Sequence, residues 1–176
     1  MLEVVYYVGA SFDGFIADPA GGTEWMWPFS KNAPDEGFAA RFASFDCLLL
    51  GSGTYEVAIR HGGWSRTYAK KRSWVFTRRD LPVVDPSLEL TREEPSRVVA
   101  ALAEQGYRRA WLMGGGKLAR SFLDQGLLSE VIVGLLPVIL GQGIPLFAPS
   151  PRSAPLELRE ARSAGGIVFL TYDVRR

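Results

Sequence analysis

The most distinctive residues for chemistry are three consecutive glycines, Gly114, Gly115 and Gly116, within the stretch from Ala110 to Gly126. A short apolar run precedes them, and apolar residues recur after them at helical spacing until Gly126, where a helix would end. Glycines at a strand-to-helix junction let the backbone pass close to a ligand, and the start of the helix offers N–H groups and a positive dipole end. The pattern predicts a strand, a glycine turn and a helix that bind a phosphate.

Two alternatives bear on this prediction. A tight connection without a ligand is one, but three glycines exceed what such a turn needs. A dinucleotide-binding Rossmann unit is the other, since Gly114, Gly116 and Ala119 have its loose spacing. That unit requires an acidic residue about 20 positions on, at the end of the next strand. The only nearby acid, Glu130, precedes the strand, so the Rossmann interpretation fails.

A second glycine turn follows the apolar run Cys47–Leu50, and contains Gly51, Gly53 and Thr54. A helix capped by Ser52 or Thr54 would begin there and face the same edge of the sheet. A third strand, Ser73–Phe76, ends in Thr77, Arg78 and Arg79. The two arginines are either solvated, or Thr77 and Arg78 receive a terminal phosphate through charge-assisted contacts.

Asp13 follows the first apolar run, Leu2–Ala10, and forms a strong turn signal with Gly14. It is either a turn residue or a carboxylate at the strand end where open α/β sheets place their ligand crevice. The loop 18–32 carries Trp25 and Trp27. These two side chains either form a lid that stacks on a planar ring of a substrate, or pack over the edge of the domain.

Composition excludes several classes of protein. The 176 residues, 47% hydrophobic and 22% charged, suit one buried domain over residues 1–176. A net charge of +1 gives no electrostatic signal for nucleic acid. No apolar stretch is long enough to span a membrane, and no basic region precedes the first apolar run, so we expect a cytoplasmic protein. A single cysteine, Cys47, and a single histidine, His61, argue against a disulfide within the chain, zinc sites and histidine-based triads.

Strand and helix signals alternate along the chain. Helices are predicted from Pro34 to about Phe45, after Gly53, and over Pro95–Gln105, and a short strand over Leu88–Leu90. Pro137 interrupts the apolar run from Glu130 to Gly141 and implies a bulge or an edge strand. Leu156–Arg162 and Ile167–Val174 predict a closing antiparallel hairpin. The sequence therefore predicts one α/β domain with a mixed sheet.

These motifs together resemble a known family. The matching segments are Ser11–Ala17, Gly51–Glu56, Thr77–Arg78, Gly114–Leu118 and Ser129–Phe147. They resemble the reductase domain of the bacterial bifunctional riboflavin-synthesis deaminase-reductase, and more closely its stand-alone relatives of the dihydrofolate-reductase-like family. The deaminase half is absent, because its zinc signature needs a histidine and paired cysteines that this chain lacks.

The resemblance implies a dihydrofolate-reductase-like three-layer α/β fold. Its central sheet is mixed and mostly parallel, is flanked by helices, and ends in a C-terminal antiparallel hairpin. NADPH would lie across the strand ends, its pyrophosphate on Gly114 to Gly116, Lys117 and Leu118. Gly51, Gly53 and Thr54 would line the opposite wall, and Thr77 and Arg78 would meet the ribose and its 2′-phosphate. Ser52 stands where related reductases usually have arginine, and Ser129 where an aspartate commonly precedes the glutamate.

The resemblance also implies hydride transfer from NADPH to a C=N or C=O carbon of a flat heterocycle or its ribosyl adduct, as in 5-amino-6-(5-phosphoribosylamino)uracil reductase. Asp13 and Glu130 would face the substrate and supply a proton. The alternatives are a pterin, folate or other carbonyl substrate, or a nucleotide-binding domain without catalysis. A homodimer is expected, because relatives pair through their later strands, and the run Val131–Leu140 could supply the surface.

Overall fold

The computed structural model describes residues 1–30, 35–60 and 64–175, which form ten β-strands and five α-helices. The strands are β1 Glu3–Ser11, β2 Phe15–Ala17, β3 Cys47–Gly51, β4 Arg72–Phe76, β5 Leu88–Thr91, β6 Arg109–Gly114, β7 Glu130–Leu136, β8 Ile144–Pro145, β9 Leu156–Ala164 and β10 Ile167–Val174. The helices are α1 Trp27–Ser30, α2 Asp35–Ala43, α3 Ser52–Arg60, α4 Pro95–Glu104 and α5 Gly116–Asp124.

Eight strands form one sheet in the order β5-β4-β3-β6-β1-β7-β10-β9, and β2 pairs with β8 in a small second sheet. The six strands from β5 to β7 in this order are parallel to their neighbours. The hairpin of β9 and β10 adds two antiparallel strands beside β7. The predicted mixed, mostly parallel sheet with a C-terminal hairpin is confirmed.

Helices cover both faces of this sheet and create two cores. On one face, Val98 and Leu102 of α4 and Phe122 of α5 pack with Tyr6 and Leu112. On the other face, Phe42 of α2 and Tyr55 of α3 pack with apolar side chains that include Phe45, Leu48, Leu50 and Trp111. Adjacent residues of one strand therefore pack into the cores on opposite faces of the sheet, which explains the unbroken apolar runs in the sequence. The three-layer arrangement predicted from the resemblance is confirmed.

Strand β7 differs from the expectation. It ends at Leu136, so Pro137 lies beyond the last ladder pair and causes neither a bulge nor an edge. The strand lies between β1 and β10, and Val131 and Ile132 are at most 2% exposed. The strand part of the run Val131–Leu140 is thus covered by neighbouring strands of its own chain, whereas Ile139 beyond it is 72% exposed, and a dimer surface on this run stays a prediction.

Other local predictions have mixed outcomes. Helix α4 begins at Pro95 as predicted, whereas α2 ends at Ala43, before Phe45, whose side chain enters the core. Burial raises the pKa of the Cys47 thiol to about 12, which makes it an inert core residue. Pro34 and His61 lie outside the described residues. In the part of the chain described here, every helix is too short or too polar to cross a bilayer.

Candidate functional site

The parallel strands bring the predicted motifs to one edge of the sheet. β4, β3, β6 and β1 are consecutive neighbours, so the segments that follow their last residues lie side by side at the carboxyl edge. The arginine motif follows β4, the two glycine turns follow β3 and β6, and Asp13 follows β1. Open α/β sheets bind ligands at this kind of edge.

The two glycine turns pack directly against each other. A Cβ atom placed on Gly51 would lie 3.5 Å from the Gly114 carbonyl oxygen and 3.6 Å from the Gly115 nitrogen. A Cβ atom placed on Gly115 would lie 3.6 Å from Oγ1 of Thr54, in the first turn of α3. A Cβ atom on Gly51 would also approach Cβ of Leu118, at 3.7 Å. The starts of α3 and α5 therefore lie side by side and border the same space at the carboxyl edge of the sheet.

Helix α5 offers backbone donors in this space. Its first intrahelical bond runs from Ala119 N to Gly115 O at 3.0 Å. The N–H groups of Gly116, Lys117 and Leu118 precede that bond and belong to the unsatisfied first turn of the helix. Lys117 is exposed, whereas Leu118 packs partly on the core. This geometry suits an anion, since donors and the positive helix end coincide.

The three glycines of the turn have different structural reasons. Gly114 has φ +108°, a left-handed backbone that favours glycine, and its peptide bond to Gly115 is cis. At Gly116 a Cβ would lie 2.1 Å from the Pro145 carbonyl oxygen, so no side chain fits. Gly115 has φ −80°, and a Cβ there would make only ordinary contacts, at 3.6 and 3.7 Å. Among the described residues beyond its two chain neighbours, none lies close enough to require glycine at position 115.

Gly53 is a second glycine without an internal reason. A Cβ on Gly53 would meet nothing within 4 Å, and its φ is not left-handed. It is the second residue of α3, where glycine weakens a helix. Without side chains at Gly53 and Gly115, the backbone at the starts of α3 and α5 is accessible to a ligand at the same edge of the sheet.

The arginine motif after β4 divides into a paired and an unpaired residue. The Arg79 guanidinium donates from Nη1 and Nη2 to the two carboxylate oxygens of Glu56 in α3, at 3.0 and 2.5 Å. The Thr77 hydroxyl accepts a hydrogen bond from Arg79 N at 3.0 Å, which fixes the turn. Arg78 is exposed and makes no hydrogen bond or ion pair with any other described residue. The sequence did not reveal that Glu56 would engage one arginine and not the other.

Asp13 lies at the predicted edge but its carboxylate is occupied. It accepts hydrogen bonds from Leu140 N at 3.1 Å, from Gly141 N at 2.7 Å and from the Ser11 hydroxyl at 2.6 Å. The Ser11 hydroxyl, foremost, and the two backbone donors lower the pKa of Asp13 below its ordinary value. An acid that is ionised and engaged in this way is a poor proton donor. The contacts assign Asp13 to joining the β1–β2 turn to the 140–141 loop.

Glu130 lies at the opposite edge of the sheet. It is the first residue of β7 and pairs with Val5, near the start of the parallel strand β1. Its carboxylate accepts a hydrogen bond from Arg109 at 2.9 Å and lies 3.4 Å from Arg159, and only 6% of the side chain is exposed. The prediction that Glu130 faces the same crevice as Asp13 is wrong, because the carboxyl end of β7 is Leu136. Its position before the strand was the signal that could have shown this.

The two predicted lid tryptophans lie on the segment that packs over β1. Trp25 belongs to a 3₁₀ turn, Glu24–Met26, and Trp27 begins α1 with 51% of its surface exposed. Met26, between them, approaches Gly9 in the last third of β1, where a Cβ would lie 3.4 Å from Sδ. Trp25 Nε1 is buried and has no hydrogen-bond acceptor among the described residues. The segment thus packs on β1 at Gly9, and the stacking role of both rings stays a prediction.

Sequence reasoning missed two residues that shape the site. Ile16 of β2 reaches the glycine turn, with Cδ1 3.7 Å from a Cβ placed on Gly115. Tyr6 of β1 is fully buried beneath Gly114, and its hydroxyl donates to the Leu146 carbonyl at 2.8 Å. Both look like ordinary strand residues in the sequence, and only the pairing of distant segments brings them to the turn.

Comparison with known protein families gives a match over most of the chain. The sequence profile described as the RibD C-terminal domain aligns with residues 3–168. The chain belongs to the RibD C-terminal domain family. The matched residues run from β1 into β10, so the carboxyl-edge site lies inside the matched region.

Individual relatives agree with this assignment. The chain is 29% identical over 171 residues to the uncharacterized protein YwjB of Bacillus subtilis (strain 168), with 97% of each chain covered. It is 29% identical over 150 residues to the riboflavin biosynthesis protein RibD of Corynebacterium ammoniagenes, covering 78% of this chain and 44% of that protein. A crystal structure from Shewanella sp. PV-4, solved as a candidate riboflavin biosynthesis protein, superposes with a TM-score of 0.87 at 24% identity and 100% coverage of both chains.

Proposed function

We propose that the chain is an NADPH-dependent oxidoreductase of the RibD reductase type. The observation that carries this proposal is the pair of bare glycines, Gly53 and Gly115, at the starts of two helices that flank one space. Contacts with the rest of the chain do not require glycine at either position, whereas a ligand that approaches the backbone closely would require it. Membership of the RibD C-terminal domain family supports a nucleotide as that ligand.

The residues at the carboxyl edge fit such a cofactor. The free N–H groups at the start of α5, over Gly115 to Leu118, would hold the pyrophosphate, with Lys117 adding a positive charge. Gly51, Gly53 and Thr54 would line the facing wall. Thr77 and Arg78, one strand further along the sheet, would contact the ribose and its 2′-phosphate. The unpaired guanidinium of Arg78 is suited to a phosphate, which it can bind through two parallel hydrogen bonds.

NADPH supplies a hydride when bound, and the task of the chain is to orient it and to limit water. Ile16, against Gly115, would form part of the wall beside the reacting ring. Trp25 and Trp27 would cover a flat heterocyclic or ribosylaminopyrimidine substrate near the end of β1. Asp13 fixes the two loops at this end and stays ionised, and Glu130 lies at the other edge. In this proposal the proton that completes the reduction therefore comes from water.

A nucleotide-binding domain without catalysis is the second candidate. It is favoured by one observation, that neither carboxylate expected to supply a proton is placed to do so. Hydride transfer depends mainly on the positions of the two partners, so the missing acid is compatible with the reductase as well.

A titration with NADPH, and separately with NADH, followed by quenching of the five tryptophans, tests the proposal first. Micromolar binding of NADPH supports a cofactor site, and the Gly115→Ala protein, with its backbone approach blocked, serves as the matched control. Oxidation of NADPH over a panel of ribosylaminopyrimidines, pterins and simple carbonyl compounds then separates the two candidates. Binding without turnover of any substrate would favour the non-catalytic domain, and binding of neither nucleotide would contradict both.

The proposal includes a homodimer. Strand β9 forms one edge of the large sheet, and its apolar residues Leu156 and Leu158 are exposed there. An unpaired strand edge with apolar side chains is a surface that a second copy can cover.

A further inference from the structure

Two arginines, Arg78 and Arg79, follow β4, and only one of them forms an ion pair. Arg79 is bound to both carboxylate oxygens of Glu56, while Arg78 extends without a partner among the described residues. We propose that Glu56 sets the strength of the preference for NADPH over NADH, by neutralising Arg79 and leaving Arg78 as the single cation for the 2′-phosphate. This inference rests on the proposed cofactor site and assigns a function to a residue that the site itself does not use.

The position of α3 supports this assignment. Thr54, in its first turn, lies against Gly115 of the neighbouring turn on the β6 side. Glu56, two residues later, points to the other side and reaches the segment that follows β4. One helix therefore bridges the pyrophosphate end and the arginine end of the proposed site. Glu56 is the carboxylate that α3 directs toward the end where a 2′-phosphate would lie.

The other charges of this segment are already balanced. Asp80, next to Arg79, forms an ion pair with Arg92 at 2.6 Å. With Arg79 held by Glu56, Arg78 is the one cation of the 77–80 segment that lacks a carboxylate partner among the described residues. Ser52, at the start of α3, adds no charge. A 2′-phosphate would therefore meet one free guanidinium in place of two.

The energy involved is modest, because the pair is partly exposed. The Arg79 side chain is 55% exposed and the Glu56 side chain 35% exposed. An exposed ion pair contributes up to about 1 kcal/mol, which corresponds to about fivefold in a binding constant. Removing the Glu56 charge both releases Arg79 and removes a negative charge near a dianion, so the two effects act in the same direction.

A cycle of three variants tests the inference. NADPH and NADH are titrated by tryptophan quenching, and adenosine 2′,5′-bisphosphate and adenosine 5′-monophosphate are used as probes of the phosphate alone. We expect Glu56→Gln to raise affinity for NADPH and for the bisphosphate about fivefold, with NADH and the monophosphate unchanged. Arg79→Gln exposes the Glu56 charge and should lower NADPH affinity by a similar factor. The double variant should return to the wild-type preference.

The double variant distinguishes this inference from its main rival. If Arg79 itself bound the 2′-phosphate, Arg79→Gln and the double variant would be equally weak, and the inference would be overturned. An unchanged ratio of NADPH to NADH affinity in Glu56→Gln would also overturn it. Failure of the wild-type protein to bind either nucleotide would instead overturn the proposed function, and the inference with it.

The matched control is Glu89→Gln. Glu89 is a partly exposed carboxylate that pairs with Arg72, the first residue of β4, at 3.2 Å. The substitution changes the net charge by the same amount but lies away from the carboxyl edge. It should leave the ratio of the two affinities unchanged, and a shift equal to that of Glu56→Gln would show that the effect is one of net charge alone. Thermal unfolding of each variant shows that all four proteins are folded.

Discussion

At the scale of single residues, the three glycines after β6 show how one sequence signal has several causes. Gly114 has a left-handed backbone, Gly116 has no room for a side chain, and a Cβ on Gly115 would make only ordinary contacts beyond its chain neighbours. The sequence predicts that the run is special because glycine destabilises regular structure. The sequence does not show which of the three glycines has an accessible backbone, because that depends on Pro145, which packs against Gly116 from 29 residues later in the chain.

The first prediction concerns the glycines without an internal role. Gly115→Ala and Gly53→Ala should fold normally, because a Cβ at either position meets no close contact. Each should weaken NADPH binding about tenfold or more, since the added methyl group occupies the space of the approaching cofactor. Quenching titrations and thermal unfolding measure both effects on the same samples. Unchanged affinity in both variants would remove the pyrophosphate from this turn.

The second prediction is that substitution of Gly116, unlike that of Gly115, lowers the stability of the protein. Gly116→Ala places a methyl group 2.1 Å from the Pro145 carbonyl oxygen, and backbone on both sides must move. We expect a loss of about 1–3 kcal/mol in the free energy of unfolding, the range of other overpacked sites. Urea denaturation compares it with Gly115→Ala, its chemically identical neighbour. Equal stability of the two proteins would show that the approach of Pro145 is not rigid.

The third prediction follows from the pKa of Asp13. Because hydrogen bonds lower this pKa in the folded protein, the folded state binds fewer protons than the unfolded state near pH 4. Its stabilisation is therefore present at neutral pH and lost as the pH falls below about 4. Asp13→Asn should lower Tm at pH 7, and the difference from wild type should shrink at pH 3. A constant difference across this range would mean that the charge of Asp13 does not hold the loop.

At the scale of elements, apolar runs and glycine positions predicted most strands of the large sheet and the main helices to within a few residues, but not the short strands β2 and β8. The strand ends also showed which motifs would meet, because parallel neighbours share an edge. Glu130 is the exception, and the cause is that its ion-pair partners, Arg109 and Arg159, lie on other strands. The position of Glu130 before the strand indicated the far edge of the sheet, but the sequence did not show that two arginines from other strands would hold its carboxylate.

The fourth prediction tests the structural role of Glu130. Glu130→Gln leaves Arg109 without its buried counter-charge, and the side chain at 130 is 6% exposed. Breaking a fully buried pair costs about 3–5 kcal/mol, and the partial exposure of both arginines reduces our expectation to about 1–3 kcal/mol. NADPH affinity should not change, because the residue lies at the far edge of the sheet. A large loss of affinity without a loss of stability would restore Glu130 to the site.

At the scale of the whole molecule, the fold was predictable because it repeats one rule, a buried strand followed by a turn and a helix. The burial of β7 was not predictable, because it depends on where the last hairpin inserts into the sheet. The hairpin pairs β10 with β7, so the exposed edge moves outward to β9.

The fifth prediction concerns assembly. Sedimentation at micromolar concentration should show a species of twice 19.4 kDa, and Leu158→Lys, on the exposed edge strand, should shift it toward a single chain. A charged residue opposite its own copy repels and disfavours pairing at an edge. A single 19.4 kDa species for the wild-type protein would contradict the dimer.

The segment from Leu140 to Ala148 touches three separate parts of the site. It is held by Asp13 at Leu140 and Gly141, by the close approach of Gly143 to the Ala17 carbonyl, and by Ala148 N donating to Gly116 O. The number of residues in this segment is therefore constrained, because the three contacts fix its position at both ends and in the middle. A peptide tag or reporter inserted here would displace the turns on both sides, whereas the β9–β10 turn at Gly165 and Gly166 offers a remote place for such an insertion.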